Sequence, residues 1–174
     1  MRPDMEAPQA TADWVKGALE RHGAALTRYA ASITGSEDTA RDVVQDTFVR
    51  LCGESPGRLE GHLAEWLFTV CRNRALDVQR KLHRMTPLAD DMLSATAGDE
   101  PSPAAVAERE DTLSLALGLL KTLTSQQQEV VRLKFQGGLS YDQIARVTNL
   151  TPGNVGFILH TALKTLRQRL QRAL

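Results

Sequence analysis

Apolar residues recur three and four positions apart along most of the chain, the period of an α-helix with one buried face. Trp14, Val15, Ala18, Leu19, Leu26, Tyr29, Ala30 and Ile33 trace one such face and predict a helix from Asp13 to about Ile33, stopped by Gly35. Ser36 is placed to cap a second helix, and Glu37 and Asp38 suit its positive end. Ala40, Val43, Val44, Thr47, Phe48 and Leu51 form its inner stripe. The stretch Gly53–Gly61 contains Pro56 and Gly57 and reads as a loop. A third helix is predicted from His62 to His83. Its buried side is Leu63, Trp66, Leu67, Val70, Cys71, Ala75 and Val78, with Arg74 at the edge. No segment alternates with the two-residue period of a strand, so the expected class is all-α.

The pattern breaks over residues 85–107, where Pro87, Gly98, Pro101 and Pro103 argue for a linker. It resumes near Ala105 with Val106, Leu113, Leu117, Leu120 and Leu123. Thr124 and Gln127 have the spacing of a capping box for a helix that buries Val130, Val131, Leu133, the Lys134 stem and Phe135 and ends at Gly137-Gly138. The organisation that follows is a disordered tail over 1–10, a helical domain over 11–84, a linker over 85–107 and a second helical domain over 108–174.

The last segment, SYDQIARVTNLTPGNVGFILHTALKTLRQRLQRAL, reads as a helix-turn-helix. Ala145 is small enough for a second helix to cross close by. Asn149 tolerates the left-handed conformation of a tight turn. Thr151 can cap the next helix with Pro152 at its first position, where a missing N–H costs nothing. On that helix Val155, Ile158, Leu159, Ala162, Leu166 and Leu170 share the inner side. The outer side carries Gly153, Asn154, Phe157, His160, Thr161, Lys164 and Gln168. Asn and His can hydrogen-bond base edges, and Thr and Phe can touch a thymine methyl. Phe157 on the solvent side fits either DNA or a partner protein.

Charge sharpens this reading. The formal net charge is zero, whereas a protein that holds DNA unaided normally has a basic excess to release counterions. The charges are nevertheless segregated. Arg72, Arg74, Arg80, Lys81 and Arg84 form a basic block; Asp90, Asp91, Asp99, Glu100, Glu108, Glu110 and Asp111 make the linker region acidic; Lys164, Arg167, Arg169 and Arg172 close the chain without an acid. Arg72, Asn73, Gln79, Arg80 and Lys81 can line a nucleic-acid groove, with Trp66 and Phe68 as stacking surface; a basic helix end that simply suits the helix dipole is the competing reading. On the second helix, Gln45 and Asp46 flank an exposed Val49, a mixed strip that suits a protein interface as well as a solvated face.

Cys52 and Cys71 make neither a disulfide framework nor a zinc motif and read as buried, reduced thiols. The histidines are scattered, and no phosphate-binding loop or nucleophile motif occurs, so neither an enzyme nor a metal or cofactor site is expected. No signal peptide opens the chain and no apolar run approaches bilayer length, which points to a cytoplasmic protein without membrane insertion.

These segments, in this order, resemble a bacterial sigma factor of the extracytoplasmic function (ECF) group of the sigma-70 family. ARDVVQDTFVRL is similar to the helix of sigma domain 2 that binds the polymerase clamp, and WLFTVCRNRALDVQRK to its promoter-melting and −10 recognition helix. The stretch from LTSQQQ to TLRQRL resembles sigma domain 4, which reads the −35 element. The resemblance implies core RNA polymerase and promoter DNA as partners, and an anti-sigma factor as a further one. It places Asp42, Gln45, Asp46 and Phe48 at the polymerase, where the residue reading adds Val49, and Arg72, Asn73, Gln79 and Arg80 at the −10 element, where it adds Trp66 and Lys81. Thr151, Gly153, Asn154, Phe157, His160, Thr161 and Lys164 then fall at the −35 element. It also implies that Gly53–Gly61 captures a flipped base and that the acidic linker follows the RNA path. The chain departs from many relatives at Gly156, Phe157 and Ile158, where they carry Lys, Ser and Arg, so its recognition helix is less basic. The alternatives are a regulator that binds an operator as a dimer and a helical adaptor that mimics a sigma factor.

Overall fold

A computed structural model of the chain describes residues 6–85 and 118–173. The described residues are helical with no strand, and they fall into two compact units, one over 6–85 and one over 118–173. The expected linker over 85–107 and its acidic cluster lie outside the described residues, apart from Met85.

The N-terminal unit is built on α1 (Glu6–Thr34), α2 (Glu37–Leu51) and α3 (Leu63–Met85), each packed against the other two. The first helix begins at Glu6, within what the sequence suggested was a tail. Ala7, Gln9, Ala10 and Ala12 are strong or tolerable helix formers, and Pro8 falls in the first turn, where its missing N–H has no intrahelical partner to lose. Gly35 ends α1 in the left-handed region at φ 73°. Ser36 then caps α2, its hydroxyl accepting from the Thr39 N–H at 3.3 Å. Every residue of the expected α2 stripe is buried. Thr47, the one polar member, donates its hydroxyl to the Val43 carbonyl at 2.8 Å. The connection from α2 to α3 is a short 3-10 turn at Pro56–Arg58 with Leu59 tucked inside.

The core face of α3 is Leu67, Phe68, Cys71 and Ala75. Phe68 has no exposed surface and meets the Tyr29 ring edge-on, 5.4 Å between centres and 66° between planes. This corrects the expectation that Phe68 stacks on bases: its ring is spent on the bundle core. Trp66, predicted to be inward, is only half-buried.

The described part of the C-terminal unit includes α4 (Ser125–Phe135), α5 (Tyr141–Thr148) and α6 (Pro152–Ala173), again mutually packed. Thr124 and Gln127 form the expected reciprocal capping box. Val130, Val131 and Leu133 are buried, but Phe135 is 63% exposed, because the final residue of α4 has no following turn to cover it. On α6 the inner stripe holds through Val155, Ile158, Leu159 and Ala162 and then fades: Leu166 is half-buried and Leu170 exposed. The 22 residues of α6 outrun the 11 of α4 and the 8 of α5, and exposure rises along its last turns.

Candidate nucleic-acid and protein interfaces

The helix-turn-helix is fixed by local chemistry at three successive points. Ser140 and Gln143 cap α5 reciprocally: the Ser140 hydroxyl accepts from the Gln143 N–H at 3.2 Å, and the Ser140 N–H donates to Gln143 Oε1 at 2.9 Å. The sequence reading missed this second capping box, although Ser-x-x-Gln is its signature. Asn149 ends α5 in the left-handed conformation, φ 57° and ψ 39°. Thr151 then caps α6 by accepting from the Asn154 N–H at 3.2 Å, with Pro152 at the first helical position. Cap, left-handed residue and cap together fix the angle at which α6 leaves α5.

That angle presents Gly153, Asn154, Phe157, His160 and Lys164 to solvent on one side of α6. Phe157 is 69% exposed. Two of the expected readers serve the helix itself: Thr151 through its cap, and Thr161 by donating its hydroxyl to the Phe157 carbonyl at 2.9 Å. At Gly156 the Tyr141 ring stands 3.6 Å from where a Cβ would be. Lys134 is turned to the same corner, donating to the Leu139 carbonyl at 3.1 Å and lying 5.3 Å from the Tyr141 ring centre. Half-buried Arg132 on α4 has its pKa lowered by that burial.

In the N-terminal unit, α3 carries Asn73, Arg80 and Lys81 on exposed positions, with Arg72 and Trp66 half-buried beside them. Arg80 pairs with Asp77 at 3.2 Å, which reduces the positive charge available there. Gln79, expected to face nucleic acid, instead donates its amide to the Ile33 carbonyl at 3.0 Å and so satisfies an orphan acceptor at the end of α1. Arg74 donates to Asp46 at 2.7 Å and fastens α3 to α2.

The expected polymerase-binding residues divide in the same way. Asp42, Gln45 and Val49 are exposed, Val49 to 65%, while Asp46 is held by Arg74 and Phe48 is buried. Phe48 floors a shallow, almost wholly apolar recess of about 370 Å³ bordered by Leu19, Val44, Gln45, Val49 and Cys52. Cys52 is therefore exposed, contrary to the sequence reading, because it follows the last residue of α2. Cys71 is buried as expected, and burial pushes its thiol up to about 12, partly offset by a hydrogen bond with Thr47. Among the described residues no cluster of His, Cys, Asp and Glu is arranged to hold a metal ion, and no helix is long and apolar enough to cross a membrane.

Comparison with known proteins gives these surfaces a context. Residues 18–85 match the family described as sigma-70 region 2, and residues 114–166 match sigma-70, region 4. The ECF RNA polymerase sigma factor SigL of Mycobacterium tuberculosis is 32% identical over 167 residues, covering 95% of this chain and 93% of SigL. SigM of Bacillus subtilis, also an ECF RNA polymerase sigma factor, is 27% identical over 145 residues, 83% of this chain and 85% of SigM. Two solved structures share the fold. CnrH in complex with the cytosolic domain of CnrY superposes with a TM-score of 0.62 at 24% identity, covering 96% of this chain and 94% of that one. RpoE in complex with the anti-sigma factor NepR from Bartonella quintana gives 0.61 at 23% identity, covering 90% and 96%.

Proposed function

The chain belongs to the ECF RNA polymerase sigma factors and directs transcription, and on that footing we propose how its exposed residues divide the work. The outer strip of α2, Asp42, Gln45 and Val49, binds core RNA polymerase, with Phe48 flooring the adjoining recess and Asp46 holding α3 in place. Asn73, Arg80 and Lys81 meet the −10 element, Trp66 and Arg72 flank them, and Gln79 acts by anchoring α3 to α1. Gly153, Asn154, Phe157, His160 and Lys164 meet the −35 element, with Thr151 and Thr161 shaping the helix that carries them. In this reading 11–84 and 108–174 are the two working domains, extended by the helical residues 6–10 and Met85.

The observation that carries the proposal is the capped helix-turn-helix with its outward polar side, in a chain with zero net charge. Such a chain lacks the cationic excess for tight unaided DNA binding, so the polymerase supplies the hold and the sigma factor the selectivity. A cytoplasmic location follows from that partnership, and the protein acts as a specificity subunit rather than an enzyme. An anti-sigma protein is the expected antagonist, since the similar RpoE structure is a complex with one. The dimeric operator-binding regulator is not favoured.

Reconstitution with core polymerase tests the assignment. The holoenzyme initiates at specific promoters, while the protein alone gives no specific shift of the same DNA. Lys164→Ala weakens most promoters and lowers the salt slope by roughly one, whereas Asn154→Ala changes base preference by about 1–3 kcal/mol. Equal losses on every sequence for both variants would refute the division between phosphate and base contact.

A further inference from the structure

The 17 residues between Arg146 and Lys164 carry no formal charge, and they include the turn and the first three turns of α6. Recognition of guanine in the major groove relies chiefly on Arg or Lys reaching O6 and N7 together. Here the outward side of the leading turns offers a bare glycine, the Asn154 amide, the Phe157 ring and the His160 imidazole. Gly156 provides no side chain, and the Tyr141 ring stands beside the space that one would occupy. Phe157 is 69% exposed, on the same side as Asn154 and His160, and so forms part of the proposed DNA-facing surface.

We propose that Phe157 is a specificity-determining residue that reads the 5-methyl group of thymine, so that the leading turns of α6 select A·T over G·C pairs at the positions they face. The inference rests on the assignment of this side of α6 to the −35 element and adds the chemistry of its readout. Thymine alone presents a methyl group in the major groove, and an aromatic ring held on a rigid helix is a surface on which that methyl loses water. Asn154 complements it, because a carboxamide can pair in bidentate fashion with adenine N6 and N7. The capped turn makes the readout selective: α6 cannot slide to another register without breaking the Thr151 cap or the left-handed Asn149. Burying one methyl corresponds to roughly a fourfold change in affinity.

The test uses full-length protein bound to core polymerase. Duplexes randomised across the upstream element are selected for holoenzyme binding, and A·T pairs are enriched at the positions facing α6. In the best duplex each thymine is then replaced by deoxyuridine, which removes only the methyl. At one position or more, wild-type holoenzyme binds deoxyuridine about fourfold more weakly than thymine, and Phe157→Ala binds the two equally. Selection of G·C at those positions overturns the inference, as does an unchanged thymine-to-deoxyuridine ratio in Phe157→Ala. If Phe157→Ala weakens holoenzyme assembly but leaves that ratio alone, the residue contacts protein and the inference is also overturned. Failure of the underlying site is distinguishable: Asn154→Ala and Lys164→Ala would then leave promoter binding untouched as well.

Discussion

Replacing Phe68 by alanine separates a core role from a nucleic-acid role. The ring has no exposed surface and sits edge-on to Tyr29 at 5.4 Å. A buried phenyl side chain removes roughly 150–200 Å² from water, about 4–5 kcal/mol at ~25 cal/mol/Å². Alanine keeps one methyl, worth about 0.8 kcal/mol, and the lost aromatic pair adds ~0.5–1.5 kcal/mol. The net loss is about 4 kcal/mol, inside the ~3–5 kcal/mol span usual for this truncation in a core. In a unit of this size each kcal/mol moves the midpoint by roughly 4–8 °C, so the N-terminal transition falls by about 15–30 °C. Differential scanning calorimetry of the full chain reads this directly, and the C-terminal transition serves as an internal standard. Phe157→Ala deletes the same atoms from an exposed site and shifts its own unit by no more than ~0.5 kcal/mol. A Phe68→Ala protein that kept its midpoint within about 3 °C yet failed to open promoters would refute the burial argument.

The remaining predictions concern the N-terminal unit. At about pH 8, iodoacetamide modifies Cys52 in the native protein and spares Cys71, whose thiol burial pushes up to about 12; both react in urea, and modification of two thiols in the native state would contradict the structure. The Asp46–Arg74 bond joins partly exposed groups, so a double-mutant cycle on unfolding gives a coupling of only about 0.5–1 kcal/mol, reduced by salt. Burial, and then the neighbouring Arg21, hold His22 below its ordinary value of 6.5, so the folded unit binds fewer protons than the unfolded chain below that pH. The stability this contributes is present above the ordinary value and is lost as pH falls through it towards the folded one. Melting from about pH 7.5 to about 5.5 therefore shows a steeper decline for wild type than for His22→Gln, and parallel declines would contradict it.

What the sequence disclosed was whatever local chemistry decides. Gly35, Ser36, Thr124, Asn149, Thr151 and Pro152 act through bonds within a few residues of themselves, and all stand where capping and turn rules placed them. The α2 stripe was legible because it is clean. On α3 two aromatics compete: Trp66 and Phe68 are about 200° apart around the helix, and which one turns inward depends on Tyr29 of another helix. The inner side of α3 is accordingly turned towards Phe68 relative to the predicted stripe. Gln79 with Ile33 and Arg74 with Asp46 are tertiary bonds between residues 46 and 28 positions apart, beyond the reach of any local pattern. Phe135 and Leu170 were misjudged because periodicity gives the direction of a side chain but not where the neighbouring helix stops.

If α3 meets the −10 element as proposed, the two bonds that tie it to its neighbours restrict how promoter preference can evolve in this protein. Gln79 locks its later turns to the tip of α1, and Arg74 locks its middle to α2, so the helix cannot roll about its axis to offer a different set of side chains. Under the assignment proposed above, new −10 preferences would have to arise by exchanging the few side chains already turned outward, Asn73, Arg80 and Lys81, one at a time. Each exchange leaves the bundle's interior untouched, so descendants can diversify their targets at little risk to folding.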